Sequence, residues 1–186
     1  MKLIKIILYV FICLIASIKV NSNQSLQGIL KDGGKLIFIR HAFAPGTGDP
    51  YNFNILDCST QRNLNERGIR EAKNIGFFFK KNNIEIEKVL SSQWCRCKET
   101  ASYAFKNFEN KNFLNSFYSQ KFTHNKIKQV KNLKRYIQKW DGNKNLVFIT
   151  HYVLIFEVLN IGVSPAEIVV TDKELNVLMR QKIQDN

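Results

Sequence analysis

The chain has 186 residues, 45% hydrophobic and 23% charged, with 28 Lys and Arg against 15 Asp and Glu for a formal net charge of +13. That length suits one domain with its own core and leaves no room for two ordinary ones, and the composition excludes a disordered chain. The positive balance points to anionic partners (phosphorylated small molecules, nucleic acid or an anionic membrane surface), although the lysines are spread along the chain and form no basic tract.

The first residues read apart from the rest. Met1 to Lys5 is short and basic, Ile6 to Ile18 is apolar apart from Ser17, and Lys19-Val20-Asn21-Ser22 follows. This is the pattern of a secretory signal peptide over residues 1–22, ahead of a single domain over 23–186. The alternative is an uncleaved anchor, but the apolar run is well short of the roughly 20 residues a spanning helix needs. Removing the leader takes three lysines and lowers the net charge to +10. The expected location is therefore exported, periplasmic or extracellular. Cys58, Cys95 and Cys97 remain, and in an oxidising compartment Cys58 is the candidate partner of Cys95 or of Cys97, with one thiol left over. Cys95-x-Cys97 lacks metal-ligand spacing and only His41, His124 and His151 could join it, so no metal and no cofactor are expected.

Asn23 to Gly34 reads as a polar lead-in closed by the turn Lys31-Asp32-Gly33-Gly34. Leu36-Ile37-Phe38-Ile39 is a strand buried on both faces that runs into Arg40-His41. A long polar loop follows, Ala42 to Arg62, with Pro45, Gly46, Gly48, Asp49 and Pro50; loops of that length are usually functional. Asn65 is a plausible N-cap for a helix with Ile69, Ala72, Gly76 and Phe79 on one face, ended by Lys80-Lys81-Asn82-Asn83. Val89 to Ser92 is a short strand and Trp94 to Phe105 a helix; their junction, Ser91 to Arg96, suits an anion because helix N-termini present unpaired amides. Asn110 to Thr123 is ambiguous between strand and half-buried loop. Ile127, Val130, Leu133, Ile137 and Trp140 give an amphipathic helix, and Leu146-Val147-Phe148-Ile149 a second buried strand that delivers Thr150-His151. A helix over Val153 to Asn160 and a hairpin of Ile168–Thr171 with Leu175–Met179 complete the chain. Strands alternating with helices predict an α/β fold with a mostly parallel sheet, whose ligand crevice lies at the carboxyl ends of the strands.

Two histidines and two arginines at such ends form a recognisable chemical set. A histidine ring nitrogen can act as a covalent nucleophile, and a guanidinium offers phosphate a planar fork of donors with permanent charge. Positioned cations stabilise the charge spread over a transferring phosphoryl group, so Arg40, His41, Arg96 and His151 could form a phosphoryl pocket that needs no metal.

Arg40-His41-Ala42, Leu64-Asn65-Glu66-Arg67-Gly68-Ile69-Arg70-Glu71-Ala72, Ser91-Ser92-Gln93-Trp94-Cys95-Arg96-Cys97-Lys98-Glu99-Thr100-Ala101 and Thr150-His151 resemble, in order and spacing, the motifs of the histidine phosphatase superfamily (phosphoglycerate mutase-like), over about residues 35–172. Asp57 to Leu64 further resembles a small exported-type branch. The resemblance implies a three-layer α/β/α fold in which His41 becomes phosphorylated while Arg40, Arg96 and His151 hold the phosphoryl group. It also implies that Gln61 and Arg62 line the substrate side, and Tyr152 is set at the mouth. Many members carry an acid for the leaving group between the middle arginine and the second histidine. Here that interval holds only Glu99, which belongs to the helix motif, Asp141, which reads as a turn, and Glu109, which lies in no recognisable motif, so no acid is assigned.

The expected activity is a metal-independent phosphomonoesterase acting on a phosphorylated small molecule or an envelope phosphate. The alternative is a non-catalytic phosphate or polyanion binder of the same fold. A nucleic-acid partner lacks the interleaved basic and aromatic motifs of the usual modules, and membrane contact is expected only through the leader. A two-histidine phosphodiesterase ranks last, because neither His41-Ala42-Phe43 nor His151-Tyr152-Val153 carries the hydroxyl residue that chemistry uses.

Overall fold

A computed structural model describes residues 25–184. The expected signal peptide, its cleavage site and its single-domain boundary at residue 23 lie outside the described residues. In chain order the elements are α1 (Leu26–Lys31), β1 (Leu36–Arg40), α2 (Glu66–Lys81), β2 (Ile86–Ser91), α3 (Cys95–Phe105), β3 (Glu109–Asn110), α4 (Gln120–Thr123), α5 (Lys126–Lys139), β4 (Asn145–Thr150), α6 (Tyr152–Leu159), β5 (Glu167–Thr171) and β6 (Val177–Lys182). Short 3₁₀ turns lie at Cys58–Thr60 and Asn112–Leu114.

The six strands form one sheet in the order β3-β2-β4-β1-β5-β6. The sheet is mixed: three of its five strand pairings are parallel and two antiparallel, one of the latter being the expected terminal hairpin. β3, β2, β4 and β1 run parallel, but β5 pairs antiparallel with β1 and β6 antiparallel with β5. All five residues of β5 are buried, so its sequence carries none of the alternation by which an antiparallel strand is usually read. Alternate residues of β1 enter different cores: Ile37 and Ile39 pack with Ile75, Ala101 and Ile168, whereas Leu36 and Phe38 pack with Leu133, Ile137 and Leu154. That is the period-two geometry of a strand covered on both faces, with α2 and α3 on one side and α5 and α6 on the other.

Two other departures are local. The lead-in read as polar contains α1, capped by Ser25, whose hydroxyl accepts from the Gly28 N–H; Leu26, Ile29 and Leu30 fill a core position that a polar reading overlooks. The ambiguous stretch 110–123 is mixed: the last residue of the edge strand β3, a 3₁₀ turn that buries Phe113 and Leu114, and the single turn α4.

Helix α2 starts at the Asn65 cap, whose carboxamide oxygen accepts from Gly68. A side chain at Gly68 would put its Cβ 2.1 Å from the Phe43 carbonyl oxygen, and one at Gly76 would reach 2.3 Å from that of Ala104. The absence of both side chains lets α2 lie directly on the loop after β1 and on α3, the two segments that carry the site.

Candidate active site

The parallel register of β1 and β4 brings the two histidines together. Arg40 pairs with Thr150 as the last rung, and the His41 amide donates to the Thr150 carbonyl at 2.9 Å, so His41 and His151 leave the sheet side by side. Their ring centroids are 5.4 Å apart. β2 ends beside them, the Ser92 amide donating to the Ile149 carbonyl, and α3 begins three residues later with Arg96 in its first turn. His41, Arg96 and His151 are each only 3% exposed.

Hydrogen bonds set the tautomers. His41 Nδ1 lies 2.8 Å from the Ala42 carbonyl oxygen, which can only accept, so Nδ1 carries the proton and Nε2 presents a lone pair. Arg96 Nε donates to that Nε2 at 3.2 Å. The Ser92 hydroxyl donates to the Asn115 carboxamide oxygen at 3.1 Å, and therefore accepts from His151 Nε2 at 2.9 Å. The lone pair of His151 is then on Nδ1, 3.5 Å from Arg96 Nη2. Burial, and then the Arg96 charge, hold both histidines well below their ordinary pKa, so both imidazoles are neutral.

Arg96 thus aims one edge, Nε and Nη2, at two imidazole lone pairs. Its other edge is held end-on by Asp49, with Nη1 to Oδ1 at 2.7 Å and Nη2 to Oδ2 at 3.2 Å. Asp49 also accepts from the Trp94 indole at 3.0 Å and from the Arg62 amide at 3.2 Å. Burial alone would raise the Asp49 carboxyl, but its bonds to Arg96 and Trp94 outweigh this and leave it below the usual carboxylate range. Asp49 lies in the long loop that the sequence marks as functional, but it is not among the site residues the sequence predicts. No local pattern marks it, because its partners Trp94 and Arg96 lie 45 and 47 residues away.

The other site residues divide. Arg40 donates to the Val163 carbonyl at 2.7 Å and lies 5.5 Å from the centre of the Tyr152 ring, while its Nε is buried without a hydrogen-bond partner. Arg62 also lines the cleft, donating from Nε to the Gly48 carbonyl and from Nη1 to that of Ala44. Tyr152 lines the mouth. Gln61 does not reach the cleft. It is a buried strut that donates to the Asn54 and Ile55 carbonyls and accepts from the Cys95 amide at 2.9 Å. It therefore occupies the first amide of α3, which the helix-terminus argument left open for an anion.

Cys58 is bonded to Cys95, joining the long loop to the residue before Arg96. Cys97 is the free thiol, buried 3.5 Å from His151 Nε2 and pushed up by burial to a pKa of about 12, which makes it inert as a nucleophile. The three carboxylates between Arg96 and His151 are elsewhere. Glu99 accepts from the Leu64 amide, Glu109 pairs with Lys88 and Lys111, and Asp141 caps a turn at Asn143. Asp49 is the carboxylate that lines the cleft.

Known structures share this arrangement of strands and helices. The chain aligns with the protein histidine phosphatase SixA complexed with tungstate at a TM-score of 0.56 and 16% identity, over 80% of this chain and 96% of that one. A phosphoserine phosphatase from Entamoeba histolytica, a mutant in complex with phosphoserine, gives 0.56 and 16% over 81% and 98%. The alpha-ribazole phosphatase from Shigella flexneri gives 0.55 and 14% over 74% and 90%. The fold is that of the histidine phosphatases. No family model matches the sequence, and no curated protein matches it. At these identities the histidine-phosphatase likeness concerns the fold, and the chemistry rests on the residues described above.

Proposed function

We propose that the protein is an exported, metal-independent phosphomonoesterase that works through a phosphohistidine at His41. The observation that carries this reading is the neutral His41 with its Nε2 lone pair facing the same Arg96 edge as His151 Nδ1. A phosphoryl group entering between them meets a nucleophile, a guanidinium fork and a second imidazole within one span. The solved relatives of the fold, named for protein histidine, phosphoserine and alpha-ribazole phosphatases, support the same chemistry.

In the first step Nε2 attacks phosphorus, the N–P bond forms and the bond to the leaving oxygen breaks. Arg96, with Arg40 and Arg62 at the rim, balances the charge on the equatorial oxygens, and His151 holds one of them through a proton at Nδ1 that arrives on the monoanionic phosphate ester and departs with the released phosphate. In the second step water attacks phosphorus, the N–P bond breaks, and Nε2 regains its lone pair. The proton of that water leaves to solvent through the open cleft. Since Asp49 is committed to Arg96, the leaving oxygen takes its proton from solvent, which favours substrates with acidic leaving groups. Metal independence follows from three arginines that supply the positive charge.

Export is supported by the leader pattern of residues 1–22 and by the Cys58–Cys95 disulfide, a bond that persists in oxidising compartments. The reading includes the three-layer α/β/α arrangement, supported by cores on both faces of the sheet, and membrane contact through the leader alone. Turnover of an activated aryl phosphate with chelator present tests the reading against non-catalytic binding. Release of phosphate by the wild type, lost in His41→Ala, is the expected outcome; no release by the wild type overturns it.

A further inference from the structure

The phosphoryl residues occupy only one end of a cleft of about 1070 Å³, a volume at the upper limit of small-molecule sites. The remainder is lined by a set of aromatic side chains alongside small and polar ones such as Thr47, Ser116, Ser119 and Gln120. Phe53 stacks on Trp94 at 5.0 Å between ring centroids, and Phe122 meets both edge-on at 5.6 and 5.5 Å. Trp94 is fixed in turn by its indole bond to Asp49, so this wall is tied to the same carboxylate that orients Arg96. At the mouth stand Tyr51, fully exposed, and Tyr118, 63% exposed, both lining the cleft. Aromatic faces left to solvent at the edge of a pocket mark a surface that something covers.

Charge narrows what that is. The cleft holds Arg40, Arg62 and Arg96 at the phosphoryl end and Asp49 paired with Arg96; beyond them its lining carries one further formal charge, Lys121, which sits 5.7 Å from the Phe122 ring centre. No carboxylate awaits a cationic leaving group, and no second arginine cluster awaits another phosphate. A peptide partner would need a broad flat contact, whereas the loop 42–62 and the segment 115–123 enclose this site from two sides.

From this wall and its continuity with the phosphoryl end we infer that the cleft takes phosphomonoesters whose alcohol portion carries a flat ring face and no cationic group, the ring lying against Tyr51 and Tyr118. An aromatic ring and the apolar face of a sugar ring offer the same contact. The inference uses the function proposed above only to locate the phosphate end of the ligand.

Binding to the His41→Ala full-length chain, measured by calorimetry, tests the inference without requiring turnover. Two pairs of ligands share the phosphate and differ in the ring: benzyl against n-hexyl phosphate, and glucose 6-phosphate against sorbitol 6-phosphate. Two ring contacts should give about a tenfold tighter Kd for the ring member of at least one pair. An advantage in the first pair alone assigns an aromatic ligand, and in the second alone a sugar. In the Tyr51→Ala/Tyr118→Ala double variant on the same background, that advantage should fall below about threefold while open-chain binding is unchanged; both side chains are exposed, so folding is not at stake. Equal affinities within both pairs, or a ring advantage that survives the double variant, overturns the inference. Tight ring binding without any turnover by the wild type would instead contradict the phosphatase reading and leave this one standing.

Discussion

The two ends of the cleft are built by different means. At the phosphoryl end, His41 and His151 emerge from neighbouring buried strands whose register is fixed along five rungs, so their separation is set by the sheet. At the other end, Asp49, Tyr51 and Phe53 ride on a loop of about twenty residues with one 3₁₀ turn. That loop is held by the Cys58–Cys95 disulfide, the Gln61 bonds and the grip of Arg62 on Gly48 and Ala44. Arg96 belongs to both ends: its backbone starts α3 on the sheet side, and its guanidinium is aimed from the loop side by Asp49. A rigid scaffold supplies the reacting groups and a tethered loop supplies their orientation and the surroundings of the leaving group.

Arg96 is shared by the two ends, so its substitution should have the largest effect. Arg96→Lys keeps a positive charge but loses the edge that faces two imidazoles and the fork that Asp49 holds. It should lower kcat for an aryl phosphate by about 10²–10³-fold, as loss of an oriented donor does. Asp49→Asn tests the loop-side grip, since its single carboxamide oxygen can serve the Oδ1 partners (Arg96 Nη1 and the Arg62 amide) or the Oδ2 partners (Trp94 and Arg96 Nη2) but not both, and the charge opposite Arg96 is lost. A fall of about 10-fold in kcat, with a smaller change in KM, is expected in steady-state assays. An unchanged kcat would mean that the sheet side alone aims Arg96.

Removing the tether is a change of stability first. Cys58→Ser/Cys95→Ser opens a crosslink across a separation of 37 residues. It should cost about 2–4 kcal/mol in denaturant unfolding, with a drop in activity smaller than that of Asp49→Asn because Gln61 still binds the start of α3. The smallest effect concerns protons. Burial and Arg96 keep His41 and His151 neutral in the folded chain, whereas the unfolded chain takes up protons below pH of about 6.5. Folded-state stability is therefore complete above that pH and declines as pH falls below it, by up to about 1.4 kcal/mol per unit for each histidine, until the depressed folded pKa is reached. A Tm that drops between pH 7 and pH 5.5, and drops less in His41→Asn, is the expected result in scanning calorimetry.

Legibility in the sequence follows the same division. The apolar runs ending in Arg40-His41 and Thr150-His151, and Arg96 at a strand-to-helix junction, could be read because buried strands and helix starts have strong local patterns. The hairpin of β5 with β6 could be read as well, but the antiparallel pairing of β5 with β1 could not, since a strand buried on both faces looks alike in either direction. Asp49 and the Phe53–Trp94–Phe122 wall could not either. Their partners are dozens of residues away, and nothing in a Gly- and Pro-rich loop announces which of its side chains turns inward. Gln61 was visible within a motif, but its bonds to the Cys95 amide and two loop carbonyls give it a bracing position outside the cleft.

The central claim is that His41 Nε2 carries the phosphoryl group between two chemical steps. Rapid quenching of the full-length protein during turnover of a ³²P-labelled aryl phosphate, followed by peptide mapping, tests it directly. The account predicts label on His41 in the wild type, lost on a chase with unlabelled substrate and absent from His41→Ala; turnover with no labelled protein at any time, or equal labelling of His41→Ala, would contradict it.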